Sequence, residues 1–190
     1  MLFGAVMDKL NNNWHLAKDH EENVVTEFEL QLWRVHFAFL HWQEKCEKNI
    51  SGMDLTAHEL AILHIIRMKD KPKTVTDIAR LLNRNDIHTI RYSIAKLLKI
   101  GFIEKVKATK EGSKNYSFQI TAIGIKNTDE YAKMRKAILV KMFNQEPNLN
   151  LDNIVKSFIK IKSIYDEAER AVSSWEAERC QNIEIADPKS

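Results

Sequence analysis

The stretch TVTDIARLLNRNDIHTIRYSIAKLLKIGFIEKVKATKEGSKNYSFQI, residues 74–120, decides the fold, because it spells two short helices, a glycine stop and a basic β-hairpin in that order. Thr74 stands three residues before Asp77, the spacing of a capping box that satisfies free N–H groups at a helix start. Ile78, Ala79, Leu81 and Leu82 give this first helix a buried side. Asn83-Arg84-Asn85-Asp86 is a polar break whose last residue can cap a second helix, along which Ile87, Ile90, Ile94, Leu97 and Leu98 form an apolar stripe. Gly101 follows where a C′ glycine ends a helix. Phe102–Ala108 and Tyr116–Ile120 then read as strands, the second alternating Tyr116, Phe118 and Ile120 against Ser117 and Gln119. This is the plan of a winged helix-turn-helix, and the chain is expected to be mainly α (α+β).

The outer face of the second helix suggests what the motif serves. Turning 100° per residue from the Ile90/Ile94 side brings His88, Thr89, Tyr92, Lys96 and Lys99 outward, with Arg91 on one flank. These hydrogen-bonding and cationic groups are of the kinds that meet base edges and phosphates, and Thr76 in the preceding helix joins the candidate set. Polar outer faces are the rule for amphipathic helices, so this face alone does not separate a reader from an ordinary surface. The hairpin adds weight, because Lys105, Lys107, Lys110 and Lys114 make it a cationic finger suited to a phosphate backbone or a minor groove.

The net charge of +3 hides an uneven distribution: residues 70–114 carry about +6 and the remainder about −3. The positive charge sits on the expected reader. At 190 residues and 44% hydrophobic content, with few Gly and Pro, a folded soluble protein is expected rather than a disordered or fibrous one. Cys46 and Cys180 form no CxxC pair or disulfide framework, which suits a reducing cytosol. Residues 1–7 are too short for a signal-peptide core and lack a basic flank, and no 18-residue apolar run occurs. A cytoplasmic, nucleoid-associated protein without a membrane partner is therefore expected.

Outside the reader the periodicities are helical. Phe28, Leu32, Val35, Phe39, Trp42 and Cys46 recur at spacings of four, three, four, three and four, and Leu30, Trp33, Phe37 and Leu40 form a second stripe shifted by two residues. Two residues is about 200° of rotation, so this helix is apolar on opposite faces, one to be covered by its own domain and one by a second copy of the chain. Leu151, Ile154, Phe158, Ile161, Tyr165, Ala168, Val172 and Trp175 alternate three and four over more than three heptads, which points to helix pairing. An antiparallel pair within one chain, against residues 24–48, would use the same stripes. Thr56-x-x-Glu59 marks another capping box before Leu60 and Leu63. Thr121 can cap a helix running through Tyr131, Met134, Ile138 and Met142. The expected layout is an N-terminal arm at 1–23, a helical dimerisation region at 24–54 and 122–178, a winged helix-turn-helix domain at 55–121 and a tail at 179–190.

The order of these elements, with Thr76-Asp77-Ile78-Ala79-Arg80-Leu81-Leu82, then Leu97-Leu98-Lys99-Ile100-Gly101-Phe102-Ile103-Glu104-Lys105, then Ile120-Thr121-Ala122-Ile123-Gly124, resembles the MarR family of transcription regulators over roughly residues 24–178. The resemblance implies a homodimer held by its first and last helices, through Phe28, Leu32, Val35, Phe39, Leu151, Ile154, Phe158, Ile161, Tyr165 and Val172. Each subunit would insert helix 87–100 into the major groove of double-stranded DNA at a pseudo-palindromic operator. It also implies a small aromatic effector, or oxidant or metal sensing. One departure concerns the wing. Where the family commonly carries an Asp-x-Arg element, this chain has Lys110-Glu111-Gly112-Ser113-Lys114-Asn115, and lysine suits a narrow groove less well than the planar guanidinium.

No metal site or cofactor is expected. His36, His41, His58 and His64 lack i, i+4 ligand spacing and no Cys or acid motif joins them. Cys46 ends an apolar stripe, where a small side chain packs well, and Lys45 and Lys48 are the cations near it in sequence. Trp14, Trp33, Trp42 and Trp175 could line an effector pocket, although aromatic residues at helical spacing are usually core. The chain contains no phosphate-binding glycine loop, nucleophile elbow or HExxH, so catalysis is not expected. The expected function is a sequence-specific DNA-binding transcription regulator. The alternative is a winged-helix dimer used as a protein-interaction module with weak or no DNA binding.

Overall fold

The computed structural model describes residues 15–107 and 116–186, the side chains of 176–186 excepted. The chain divides into two compact units, Met1–Ala137 and Ile138–Ser190. In the first, α1 (His20–Ser51) leads to α2 (Ala57–Arg67), α3 (Val75–Leu82), α4 (Ile87–Lys99), the antiparallel strands β1 (Ile103–Lys107) and β2 (Tyr116–Ile120), and α5 (Ala122–Arg135). A π turn at Lys136–Val140 spans the boundary, and one closing turn, α6 (Lys141–Phe143), precedes α7 (Leu151–Ala186) in the second. The helix expected to run from Thr121 through Met142 is therefore interrupted, and the break falls where the chain passes from one unit to the other.

The boundaries of the central domain follow from local chemistry. Both capping boxes form: the Thr56 N–H donates to Glu59 at 2.8 Å while the Glu59 N–H donates to the Thr56 hydroxyl at 3.3 Å. Thr74 and Asp77 exchange the equivalent bonds at 3.1 Å each. Asp86 occupies the N-cap position of α4 but makes no capping bond, contrary to expectation, because its carboxylate is held by Arg84 two residues earlier. Gly101 ends α4 at φ 79°, with its N–H on the Leu98 carbonyl and the Phe102 N–H on that of Leu97, both at 3.1 Å. That double bond is a Schellman end, and it returns Phe102 to the core beside Leu97.

The core lies among α2, α3, α4 and the hairpin, where Leu60, Leu63, Ile66, Ile78, Ile90, Leu97 and Ile103 are buried completely or nearly so. The strands pair Ile103 with Ile120 and Lys105 with Phe118. Lys73 adds a third partner through reciprocal backbone bonds to Phe118 at 2.9 and 2.8 Å. Ser117 is buried, against the alternation expected for this strand, while Tyr116 is exposed. The β2 to α5 corner depends on Thr121, whose hydroxyl donates to the Gly101 carbonyl at 2.7 Å and accepts from the Gly124 N–H at 3.2 Å.

The C-terminal part of α1 packs into this unit, with Gln43, Cys46 and Glu47 buried. Its remainder does not. Phe28, Val35 and Phe39 on one stripe and Trp33 and Phe37 on the other are all exposed, so the expectation that the chain's own domain covers one face fails over residues 28–39. At 1.5 Å per residue α1 is about 48 Å long, which outreaches a domain of this size. Considered by itself, α7 is a 36-residue helix on which Leu151, Phe158, Tyr165, Val172 and Trp175 are exposed and Ile154 and Ile161 half-buried. Lys162 and Asp166 pair across one turn at 2.5 Å. Among the described residues no helix is long and apolar enough to cross a membrane.

Gly124 is a sensitive point of the corner. A Cβ there would meet the Phe102 carbonyl oxygen at 2.2 Å and Ile120 Cγ1 at 2.8 Å. Alanine for glycine inside a helix ordinarily stabilises by about 0.5–1 kcal/mol. Here Gly124→Ala is expected to destabilise by about 1–3 kcal/mol through forced displacement of backbone, read as a lower urea midpoint at unchanged slope. A raised midpoint would show that the close approach does not matter.

Candidate nucleic-acid interface

The helix α4 presents a polar face because its other side is committed to the core. Ile90, Ser93, Ile94 and Leu97 are buried, and the helical period then turns His88, Arg91, Tyr92 and Lys99 to solvent. Tyr92 is 73% exposed, an unusual state for an aromatic side chain that has no packing role in its own domain. Thr89 is exposed on one flank of this face, and Thr76 is exposed in the first turn of α3. A concavity of about 410 Å³ between α3, α4 and the hairpin is lined by Thr74, Thr76, Arg91, Ile94, Lys105 and Tyr116. The structure thus brings Thr76 and Arg91, from different helices, to one surface beside the hairpin.

Hairpin geometry keeps cationic groups outward. Lys105 and Lys107 are exposed on β1, and the Lys105 ammonium lies 5.5 Å from the centre of the Tyr116 ring, a cation–π contact across the two strands. Gln119 donates to Glu104 at 2.6 Å on the neighbouring register pair. Lys110 and Lys114, and with them the lysine-for-arginine departure of the wing, lie outside the described residues.

Lys96 is placed differently from the sequence expectation. Its ammonium lies 2.8 Å from Glu59 Oε2 and donates to the Asp54 carbonyl at 2.9 Å, on the flank of α4 that faces the start of α2. Periodicity could show that Lys96 is off the apolar stripe but not which neighbour packs beside it. Lys73 was not singled out at all from sequence, yet it is 8% exposed and its ammonium donates to the carbonyls of Ile66 at 3.1 Å and Lys71 at 2.9 Å, and to that of Met68. It closes the C-terminal end of α2, where carbonyls lack helical partners. Burial depresses its pKa, against the pull of Asp70 and Asp77.

At the α3 to α4 turn Arg84 grips Asp86 with both ends of its guanidinium. The pair neutralises a carboxylate at the start of α4, and the Arg84 bond is the main reason the Asp86 pKa falls to about 2.

The other candidates fall outside this face. His64 packs against the Tyr131 ring at 4.6 Å and burial lowers its pKa, while His36, His41 and His58 are exposed. Among the described residues no three His, Cys, Asp or Glu side chains are grouped to hold a metal ion. Cys46 is a buried free thiol whose pKa is raised by burial and then by Glu47, which disfavours the reactive thiolate. Trp33 and Trp175 are 60% and 71% exposed, so the usual assignment of aromatic stripes to a core fails for them within this chain. Trp42 is half-buried, and Trp14 and Cys180 lie outside the described side chains.

Comparison with known proteins agrees with this geometry. A sequence profile described as a winged helix DNA-binding domain matches residues 55–124. No curated protein matches the chain by sequence. Among solved structures, a MarR family regulator from Neisseria meningitidis is similar over 79% of this chain and 96% of its own, at 15% identity and a TM-score of 0.58. A Mycobacterium tuberculosis protein aligns over 77% of this chain and 97% of its own, at 13% identity and a TM-score of 0.58. Streptococcus pneumoniae FabT in complex with DNA aligns over 76% and 97%, at 17% identity and a TM-score of 0.54.

Asp86 offers a direct test of the turn. Its folded-state pKa lies below the ordinary value of 3.8, so the stabilisation it contributes is complete above that value and is lost as pH falls toward about 2. In Arg84→Ala the carboxyl titration followed by NMR should move up toward the ordinary aspartate value. An unmoved titration would show that Arg84 is not what holds it.

Proposed function

We propose that this chain, which has the winged-helix fold of MarR-type regulators, is a DNA-binding transcription regulator that reads a pseudo-palindromic operator as a homodimer. One observation carries the reading: the exposed face of α4, with His88, Thr89, Arg91 and Tyr92, stands beside a cationic hairpin on a domain matched by a DNA-binding profile. Thr89, Arg91 and Tyr92 lie in the first half of α4, the part of a recognition helix that reaches base edges, and are assigned to base contacts. Thr76 and His88 are assigned to the groove edge, and Lys107 with Lys110 and Lys114 to phosphates. Lys96 is left out of the contact set because its ammonium is engaged by Glu59 and the Asp54 carbonyl.

The homodimer is proposed from apolar side chains that are exposed on each of the two long helices. Phe28, Val35 and Phe39 on α1, and Leu151, Phe158, Tyr165 and Val172 on α7, are exposed apolar side chains at helical spacing. Leu32, Ile154 and Ile161 complete the two stripes. Apolar side chains exposed in rows along a helix are costly in water and mark an interface. The site of action proposed is the cytoplasm, on chromosomal DNA.

A duplex selected from a random pool by the purified protein serves as the probe. Binding should weaken with salt at a log–log slope of roughly −0.9 per phosphate contact, and a scrambled duplex should bind more weakly at each salt concentration. Alanine at Thr89, Arg91 or Tyr92 should narrow that gap by about 1–3 kcal/mol for each good base contact. Alanine at Lys107 should weaken both duplexes alike. If selected and scrambled duplexes bind equally, the regulator reading fails, and a dimer without DNA affinity at low salt would favour a protein-interaction module.

The dimer assignment has its own test. Phe39→Glu and Phe158→Glu should each move the sedimenting species toward the mass of one chain and weaken operator binding. A mass equal to one chain in the unaltered protein would remove the assignment.

A further inference from the structure

We propose that Lys96 is a positioning residue which, with Glu59 and Glu44, fixes the bearing of the recognition helix against the C-terminal end of α1. The proposal rests on the DNA-binding reading above and adds to it a route by which a displacement of α1 would reach the reading face.

The start of α2 is bracketed by two carboxylates from different helices. Glu44, on α1, accepts the Ala57 N–H at 2.9 Å, and Glu59, on α2 itself, accepts the Thr56 N–H at 2.8 Å. Both acceptors take backbone donors that the first helical turn leaves without partners. Lys96 closes the arrangement from α4. Its ammonium bonds the same oxygen, Glu59 Oε2, at 2.8 Å, and the Asp54 carbonyl at 2.9 Å.

Burial makes this junction selective. The Glu59 side chain is 5% exposed and that of Lys96 35% exposed, so the carboxylate is withdrawn from water and Lys96 is the cation that the structure pairs with it. Turning Lys96 toward a phosphate would leave a buried carboxylate without its cation, a costly exchange. The nearby Lys48 and Asp54 ion pair, at 4.0 Å between exposed groups, contributes little by comparison. Lys99, one turn on, is exposed, so the two lysines of the last turns of α4 have different duties.

The consequence is mechanical. The first turn of α2 cannot shift relative to α1 without disturbing the Glu44 bond, nor relative to α4 without disturbing the Lys96 pair. α1 also carries the exposed apolar stripes proposed as the dimer contact. The bearing of α4 is thereby tied to the element that sets the distance between two reading heads, which a dimeric reader must match to its half-sites.

The test uses the full-length chain, the selected and scrambled duplexes, and three variants: Lys96→Met, Glu59→Gln and Lys96→Arg. Glutamine at 59 keeps the capping-box acceptor while removing the charge, so this variant serves even where Lys96→Met folds poorly. Lys96→Met and Glu59→Gln are each expected to weaken the selected duplex about tenfold, leave the scrambled duplex unchanged and leave the salt slope unchanged. Lys96→Arg should restore discrimination.

A slope lowered by about 0.9, with equal loss on both duplexes, would make Lys96 a phosphate contact and overturn the proposal. Unchanged affinity for both duplexes would overturn it as well. If the unaltered protein itself fails to discriminate between duplexes, the regulator reading falls, and the proposal falls with it.

Discussion

Leu63, Ile78, Ile90 and Leu97 are shut off from water, and the face that α4 presents depends on the burial that brings these four side chains together from three helices. Each fully buried aliphatic side chain contributes about 1.5–3 kcal/mol, which a three-helix domain of this size cannot forgo. The hairpin completes the enclosure through Ile103 and Phe118, and the chain enters and leaves it through polar devices set at fixed points. Capping boxes start α2 and α3, a Schellman end stops α4, and Thr121 binds the end of α4 to the start of α5. The exposed polar face is what remains of α4 once these demands are met.

A second layer of order comes from polar side chains buried between elements. Glu59 serves α2 and α4, Lys73 serves the end of α2 while its backbone joins β2, and Glu47 on α1 accepts from Asn127 on α5 at 3.0 Å and from Ser51 at 2.6 Å. Apolar packing tolerates some sliding of one helix along another, whereas a buried charge with one partner does not, because separation leaves it unsatisfied. Such contacts define how helices bear on one another. On the proposed function, bearing carries as much weight as the identity of the contacting side chains.

The long helices obey the same rule from the other side. Most of the apolar side chains of α1 between Phe28 and Phe39, and many of those along α7, are exposed, although the short helices of the central domain are closed around their own core. Amphipathic pattern alone does not distinguish these cases. A helix whose stripe meets its own domain and one whose stripe lies exposed carry the same spacing, and length is the clearer signal. A helix of 32 residues overshoots a domain whose other helices run to 14 residues or fewer.

Residues 74–120 were legible because each feature that defines them is local. A Thr three residues before an acid and a glycine after an apolar stripe act over one to four positions, and they fall in the structure where the spelling puts them. Side chains that act between elements were not legible. Lys96 and Lys99 are the same residue on one helix, both off the apolar stripe, yet one is paired with Glu59 and the other faces solvent. Asp86 sits where a cap belongs and is taken by Arg84 instead. The sequence by itself determined the helices, the hairpin, the reader's position in the chain and the sign of its charge, since those follow from short-range hydrogen bonding and the period of apolar residues. Only the tertiary structure decided which polar groups on α4 are spent on its own support, because that depends on which helix ends pack against its flanks.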